Sequence, residues 1–291
     1  MQLTKHHGLG NDFLVLHGDH EPDPAFAVAA CHRHRGIGAD GLLYLGGAEG
    51  SPGSPADPAA DVTAADVTTG DLAAADVSMV LLNADGSRAE MSGNGIGCLV
   101  QAALLGGHAS GPAVRVRTDA GLRVVRLAGA AEPRTHVATI AMGAVSVADD
   151  DPEWSGDGIL RATPVDVGNP HLVLELADPS RLQDRGWLAE LGAKANAAVA
   201  GGINVEVVVV TDDATLSMDV YERGVGLTDA CGTGAVAAAA AARRWGAVGD
   251  TVSVAMHGGA VGVAFGVALG GQDSQLTTTI TYVGSIEFPW P

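Results

Sequence analysis

Cationic residues are scarce in this sequence. Lys and Arg together number 16 against 34 Asp and Glu, which gives a formal net charge of −18 over 291 residues. So acidic a chain is repelled by phosphate-rich surfaces, which argues against nucleic acids and anionic membranes as partners. A small anionic substrate stays compatible with this charge, because one or two arginines can set the local field.

Cysteines and long apolar segments are scarce too. The chain holds only Cys31, Cys98 and Cys231, an odd and sparse set that is typical of a reduced, cytoplasmic protein without a disulfide framework. No Cys-x-x-Cys or His-x-x-x-His spacing indicates a metal site. The N-terminus lacks the apolar segment of a signal peptide, and no apolar run reaches about 18 residues, so we expect neither a signal peptide nor a transmembrane helix.

What the sequence does contain is an internal duplication. The turn Ser-Gly-Asn-Gly at 92–95 precedes an apolar stretch, and 139 positions later Cys-Gly-Thr-Gly at 231–234 precedes another. An earlier pair of segments, 10–16 and 168–174, matches at an offset of 158. Duplication of this kind predicts two similar domains whose equivalent loops face one another across a cleft.

The first half carries extra residues, because the second offset is larger by 19. A low-complexity stretch at 46–75 lies where these extra residues are required. It is acidic and contains no Lys, no Arg and no aromatic residue. Such a composition cannot form much core, so we interpret 46–75 as a surface insertion.

The remaining pattern favours an α+β fold. Many short apolar segments read as strands, including a hairpin at 114–117 and 122–127, and helices are predicted at 96–105 and 235–245. The second of these helices is alanine on nearly every face, which suits a buried helix wrapped by a β-sheet. Two pseudo-symmetric domains, each a sheet with one short apolar helix, fit these elements.

The loop at 230–234 (Ala-Cys-Gly-Thr-Gly) joins a strand end to a helix start. A helix N-terminus presents unpaired N–H groups and a partial positive charge, which bind a carboxylate well and lower the pKa of a cysteine placed there. Cys231 is therefore a candidate nucleophile or base beside an anion site. The same pattern also fits a buried structural cysteine at a strand–helix junction.

Further motifs carry a resemblance to one family. In chain order they are His7-Gly-Leu-Gly-Asn-Asp-Phe13, Gly36-Ile-Gly-Ala-Asp-Gly41, Asn83-Ala-Asp-Gly-Ser87, Glu90-Met-Ser-Gly-Asn-Gly95, Gly168-Asn-Pro-His171, Ile203-Asn-Val205, and Glu222-Arg-Gly224 through Ala230-Cys-Gly-Thr-Gly234. Together they span nearly the whole chain and resemble the diaminopimelate epimerases, which are pyridoxal-independent amino-acid epimerases.

The resemblance implies an isomerase that inverts one α-carbon of LL-2,6-diaminopimelate to give the meso isomer, in lysine and cell-wall precursor biosynthesis. Two side chains on opposite faces of that carbon exchange its proton, without a cofactor or metal. Each domain is then a mixed sheet or barrel around a central helix. The N-terminal lobe comprises 1–136 plus 277–291, and the C-terminal lobe comprises 137–276. A cytoplasmic location and the ability to form a homodimer are implied as well.

The resemblance also implies the site residues by position. Cys231 and Ser92 are the catalytic groups, and His171 and Glu222 are the candidates for tuning them. The other residues fall into groups: Gly93, Asn94, Gly232 and Thr233 for the reacting carboxylate, Asn83, Asn204 and Arg223 for the distal carboxylate, Glu222 near the distal ammonium, and Asn11 and Asn169 elsewhere along the site.

Structural explanations exist for several of these residues. Asparagine in such turns often serves turn geometry, and adjacent Glu222 and Arg223 would form a solvated pair in most proteins. His171 fits an ordinary loop residue after a proline. Cys31 and Cys98 are interpreted as packing cysteines.

Ser92 departs from the family pattern, which has cysteine at this position. An alcohol is a far weaker acid than a thiol, so a serine is a poor base near neutral pH unless it is strongly activated. Three hypotheses remain: a working diaminopimelate epimerase with a Ser/Cys pair, a related racemase or dehydratase of another amino acid, and a catalytically weakened protein that still binds an amino acid.

Overall fold

The computed structural model describes residues 1–18, 20–47, 75–129, 132–266 and 274–290. The predicted insertion at 46–75 therefore lies almost entirely outside the described residues. Its first two positions are described and form the end of a strand, Gly41–Gly47. In the described ranges, no helix is long and apolar enough to cross a membrane.

Apart from one short extra strand at the start of the second half, the two halves contain the same order of strands and α-helices. The first half has β1 (Gln2–Gly8), β2 (Asn11–His17), α1 (Pro24–Cys31), β3 (Gly41–Gly47), β4 (Val77–Asn83), β5 (Arg88–Ala89), α2 (Gly93–Leu105), β6 (Ala113–Thr118), β7 (Gly121–Gly129) and β8 (Thr135–Gly143). The second has β9 (Ser146–Val147), β10 (Ile159–Asp166), β11 (Pro170–Leu176), α3 (Arg185–Ala198), β12 (Asn204–Asp212), β13 (Thr215–Glu222), β14 (Gly226–Thr228), α4 (Gly232–Arg244), β15 (Thr251–Met256), β16 (Gly259–Phe265) and β17 (Ser274–Glu287).

Each half closes its strands into a barrel. In the first, β1, β2, β3, β4, β6, β7, β8 and β17 pair in succession and β17 returns to β1. In the second, β10, β11, β12, β13, β15, β16 and β17 pair in succession. The second ring closes because β17 pairs with β8, and β9, which follows β8 directly, pairs with β10.

Strands β8 and β17 belong to both barrels. Residues 274–281 of β17 pair with β8, and residues 280–287 pair with β1. The predicted lobe boundaries, 136/137 and 276/277, fall inside these two strands. The connection between the halves is therefore a pair of hydrogen-bonded strands and not a loose linker.

A buried helix fills each barrel. In α4 every residue from Gly232 to Ala242 is buried, and α2 is buried from Gly93 to Ala103. A barrel of about eight strands leaves an interior just wide enough for side chains. The run of alanines in α4 lets a whole helix occupy that space, which confirms the expectation of an alanine helix wrapped by a sheet. Helices α1 and α3 pack on smaller clusters at Phe26 and Leu188.

Both central helices begin three residues before the predicted starts at 96 and 235. The reason is capping: Ser92 Oγ accepts the Gly95 N–H at 3.0 Å, and Cys231 Sγ accepts the Gly234 N–H at 3.4 Å. The glycine turns are thus the first helical turns, because an N-cap side chain offsets the low helix propensity of glycine.

The contact between the helix starts leaves no room for a side chain. A Cβ on Gly232 would lie 2.7 Å from Leu276 Cδ2 and 3.0 Å from Gly93 Cα. We therefore expect Gly232→Ala to lower the free energy of unfolding by about 1–3 kcal/mol, the usual cost of overpacking a core. Urea unfolding followed by tryptophan fluorescence measures this.

The matched control is Gly47→Ala in β3, where a Cβ would meet no described atom within 4 Å. We expect that variant to unfold like the wild type. Equal stabilities of Gly232→Ala and Gly47→Ala would contradict the close contact of the two helix starts.

Candidate active site

The N-termini of α2 and α4 meet at the seam between the barrels. A Cβ on Gly93 would lie 3.1 Å from Gly232 Cα, so the two backbones are in contact. The N-cap residues, Ser92 and Cys231, come one from each half. Two sets of unpaired N–H groups and two positive helix ends therefore converge at one point, which is suited to a carboxylate.

A cavity of about 40 Å³ lies at this point. Its lining comes from both halves of the chain: Asn11, Phe13, Asp40, Leu81, Asn83, Ala89, Met91, Ser92, Asn169, Asn204, Glu222, Arg223, Val225, Cys231, Gly232 and Thr233. The structure thus brings most of the expected site residues together. Gly93, Asn94 and His171 are not part of the lining. Gly93 contacts Gly232, and the other two residues hydrogen-bond to asparagines that do line the cavity.

Cys231 is buried and surrounded by negative charge. The prediction of a lowered pKa at this helix start is wrong, because burial raises the pKa of the thiol well above the ordinary value of 9.0, and the carboxyl groups of Glu222 and Glu206 raise it further. The hydrogen bonds with the Thr233 hydroxyl and the Gly234 N–H act in the opposite direction. The thiol is therefore protonated until a neighbouring group removes the proton, and its thiolate is a strong base.

Glu222 is the neighbour that can take this proton. Burial raises the pKa of its carboxyl from 4.5 to about 7, although hydrogen bonds with Thr228 and Cys231 oppose the shift. Its Oε1 accepts the Thr228 hydroxyl at 2.5 Å. Glu222 and Arg223 do not form the solvated pair that their adjacency suggested, because each side chain bonds to a different partner.

Ser92 has a plainer environment. Its Oγ accepts the Gly95 N–H at 3.0 Å, and no carboxylate or imidazole in the described ranges bonds to it. The two N-cap side chains occupy equivalent positions, yet only the thiol has an acid–base partner.

Asn11 is held from behind by a charged cluster that sequence reasoning left unassigned. Its Nδ2 donates to Asp40 Oδ2 at 3.0 Å, and its Oδ1 accepts from Asn94 Nδ2 at 3.4 Å. Arg33 binds both Asp40, at 2.5 Å, and Asp12, at 2.8 Å. The family motif at 36–41 is the signal in the sequence that contains Asp40.

Asn169 is held in a different way. Its Oδ1 lies 3.0 Å from His171 Nε2, and His171 Nδ1 lies 2.7 Å from Glu206 Oε1. Both His171 and Glu206 are fully buried. Sequence reasoning did not select Glu206, because a single acidic residue in a valine-rich strand is ordinary on an exposed face.

The end of the cavity that lies away from the two helix starts carries a cationic group, the guanidinium of Arg223. Arg223 donates its backbone N–H to Asn204 Oδ1 at 3.0 Å, and its guanidinium forms an ion pair with Glu90 of the other half. Asn83, at the end of β4, bonds Ser87 Oγ at 3.0 Å and completes this end. In the described part of the chain, no group of three or more His, Cys, Asp and Glu side chains could hold a metal ion.

The raised pKa of Glu222 predicts a pH-dependent stability. Because folding raises this pKa from 4.5 to about 7, the folded state binds the proton more tightly, and stability present at low pH is lost as pH rises through this range. Glu222→Gln cannot ionise. We expect it to be more stable than the wild type at about pH 8, on the order of 2 kcal/mol, and similar near pH 4.5.

Urea unfolding of both proteins at the two pH values measures the difference. A stability difference that is independent of pH would contradict a titrating Glu222. Glu190→Gln on the exposed face of α3 is a control that should leave both values unchanged.

Comparison with known proteins agrees with this geometry. The family model "Diaminopimelate epimerase" matches residues 3–147 and 163–268. Similar proteins named diaminopimelate epimerase include one from Pelotomaculum thermopropionicum, 35% identical over 89% of both chains. Another, from Thermobifida fusca, is 36% identical over 83% of both chains.

Solved structures show the same fold at low sequence identity. A PhzF-family phenazine biosynthesis protein from Bacillus anthracis aligns with a TM-score of 0.67 and 12% identity, covering 100% of this chain and 99% of that one. A hydroxyproline epimerase from Agrobacterium vitis aligns with a TM-score of 0.64 and 19% identity, covering 99% and 91%. The family model and the relatives together establish that this chain belongs to the diaminopimelate epimerase family.

Proposed function

We propose that this protein is a diaminopimelate epimerase, which inverts one α-carbon of LL-2,6-diaminopimelate to give the meso isomer by transferring protons between two side chains. The observation that carries the proposal is the pair of N-cap residues, Ser92 and Cys231, at helix starts that touch. A carboxylate held between the two helix ends exposes opposite faces of its α-carbon to these two groups.

The helix ends supply the electrostatic part of the catalysis. When the α-proton leaves, negative charge develops on the substrate carboxylate. We assign the N–H groups of Gly93, Asn94, Gly232 and Thr233, in the first turns of the two helices, to stabilise this charge. Preorganised donors of this kind are often the largest single term in lowering such a barrier.

Cys231 is the more effective base of the pair, because a thiol ionises more readily than an alcohol. In the reaction from the meso isomer, the Glu222 carboxylate takes the proton of the Cys231 thiol, and the thiolate then removes the α-proton. The Ser92 hydroxyl donates a proton to the opposite face, and the alkoxide recovers one from solvent. In the reaction from the LL isomer, the Ser92 oxygen must remove the proton, which is the harder step for an alcohol.

The far end of the cavity supports a substrate with a second carboxylate. The Arg223 guanidinium already binds the carboxylate of Glu90, which is the same chemical group that the distal end of diaminopimelate presents. We infer that the substrate takes the place of Glu90 on this guanidinium, beside Asn83 and Asn204. An arginine fork fits a carboxylate in two-point geometry.

The two barrels are the lobes of this enzyme in our proposal, divided near 136/137 and 276/277. A cavity of about 40 Å³ has room for a few water molecules, so the lobes must separate to admit the substrate and close to exclude water.

The proposal has four further parts. The enzyme acts in the cytoplasm, in lysine and cell-wall precursor synthesis. It works without pyridoxal phosphate and is able to form a homodimer. The free cysteines at 31, 98 and 231 support a reducing compartment.

One observation favours a second candidate. The second candidate is a related racemase or dehydratase of another amino acid, and Ser92 favours the dehydratase in particular, because elimination needs only one strong base. The ion-pairing group at Arg223 favours diaminopimelate, because an amino acid with one carboxylate would leave it without a partner from the substrate.

The direct test is to incubate the purified protein with LL-diaminopimelate and to separate the stereoisomers by chiral chromatography. We expect the meso isomer to accumulate until both isomers are at equilibrium. No meso isomer, together with racemisation of a hydroxyproline or of another amino acid, would reject the proposal in favour of the second candidate.

The chemical inequality of the two bases predicts opposite effects of two substitutions. Ser92→Cys should raise kcat by at least about tenfold, because a thiol is a far better proton donor and base than an alcohol. Cys231→Ser should lower kcat by about 10²–10⁴-fold, the usual range for loss of a general acid or base. Initial rates from both isomers measure these changes.

Cys31→Ser is the matched control, because that thiol is also buried but lies at the end of α1, in the Phe26 cluster, and does not line the cavity. It should leave kcat within about twofold of the wild type, since no acid–base role depends on it. An unchanged rate in Ser92→Cys would contradict the role given to position 92.

A further inference from the structure

The chain of contacts from Glu206 through His171 to Asn169 is not explained by the reaction as described so far. We propose that Glu206 is a positioning residue: it holds the His171 ring with both nitrogens protonated, and His171 then turns the Asn169 amide so that its N–H groups face the substrate carboxylate. The inference rests on the proposed function and adds a residue to it.

The hydrogen-bonding inventory leads to this assignment. Nδ1 of His171 lies 2.7 Å from a carboxylate oxygen of Glu206, and Nε2 lies 3.0 Å from Oδ1, the side-chain amide oxygen of Asn169. Both partners are acceptors, and a neutral imidazole has one donor only. A doubly protonated ring satisfies both contacts, and its charge balances that of Glu206.

Burial makes the charge of Glu206 dependent on this partner. The side chains of Glu206 and His171 are completely buried, and Glu206 Oε2 has no hydrogen-bond partner in the described structure. A Cβ on Gly234 would lie 2.6 Å from Glu206 Oε1, so the carboxylate lies directly against the first turn of α4. An isolated carboxylate at such a place is costly, which favours a cation beside it.

The internal duplication shows that the fold itself does not need this polar pair. In the parallel pairing of β11 with β12, His171 lies opposite Asn204 and Val173 opposite Glu206. In the equivalent pairing of β2 with β3, Phe13 lies opposite Gly41 and Val15 opposite Leu43. The first barrel therefore has Phe13 and Leu43 where the second has His171 and Glu206.

An apolar pair is usually no less stabilising than a buried ion pair of similar volume. A functional role therefore explains the polar pair more simply than a contribution to stability does. The polar pair also makes the two flanks of the cavity different. Asn11 donates a side-chain N–H to Asp40, whereas Asn169 directs its side-chain oxygen to His171, which in our proposal leaves both of its N–H groups for the cavity.

The test uses Glu206→Gln, which keeps the shape and removes the charge. His171 then needs one donor only, and the Asn169 amide is free to turn its carbonyl oxygen toward the substrate. We expect the ¹⁵N resonances of the His171 ring to change from a doubly protonated to a neutral pattern. We expect KM for LL-diaminopimelate to rise by about tenfold, the loss of one good hydrogen bond, with kcat changing less than KM.

A second variant guards against a folding defect. His171→Phe combined with Glu206→Leu copies the pair found in the first barrel, so we expect it to fold with at least wild-type thermal stability and to show the same rise in KM. Glu175→Gln, which changes a partly buried carboxylate paired with Arg161 near the other end of β11, is the matched control and should keep the wild-type KM.

A neutral His171 ring in the wild type, or a wild-type KM in the double variant, would overturn the inference. The ¹⁵N resonances of the His171 ring are measured without substrate, and they are assigned as the resonances that are missing in the His171→Gln variant. It therefore tests the inference even if the wild type fails to epimerise diaminopimelate, and a failure of the proposed function is separated from a failure of this one.

Discussion

The contact between Gly93 and Gly232 is the constraint on which the rest of the structure depends. Two helix N-termini can approach within van der Waals distance only where neither carries a side chain. Each barrel encloses one of the two helices, and the shared strands β8 and β17 join the barrels. The small alanine side chains of α4 let a whole helix fit inside its barrel.

A second constraint is the balance of charge at the cavity. The protein has a net charge of −18, and the carboxyl groups of Asp40, Glu206 and Glu222 lie at or behind the cavity wall. An anionic substrate can bind there only because fixed positive groups oppose them: two helix ends, the Arg223 guanidinium and, in our proposal, a charged His171. Burial raises the pKa of the Cys231 thiol, and the carboxyl groups of Glu222 and Glu206 raise it further, so the thiol is protonated in the resting protein and its thiolate is a strong base.

Much of the fold could be predicted from the sequence, because glycines and polar turn residues recur at a nearly constant offset. The same turns contain Asn11, Asn169, Ser92 and Cys231, whereas the roles of these residues and the rest of the predicted cavity lining came from the family resemblance. The helix starts were predicted three residues late, because helix propensity penalises glycine and the caps at Ser92 and Cys231 outweigh that penalty. Tertiary hydrogen bonding of this kind is visible only when the loop conformation is known.

Glu206 shows why the rest of the site was out of reach. Its place in a valine-rich strand gives no local signal, and its significance comes from His171, which is 35 positions away in the sequence and directly beside it in space. Asp40 is similar, since its role depends on contacts with Asn11 and Arg33 from two other segments. Residues that act through another side chain have no sequence pattern of their own.

The most direct test of two unequal bases is solvent deuterium uptake at the α-carbon, followed by mass spectrometry and chiral separation of each isomer. Our account predicts that the meso isomer takes up deuterium faster than it inverts, because the Cys231 thiol exchanges the removed proton for a solvent deuteron and returns it to the same face more readily than Ser92 donates one to the opposite face. It also predicts that the LL isomer takes up deuterium slowly, together with inversion. Equal uptake by both isomers, or uptake without any inverted product, would contradict it.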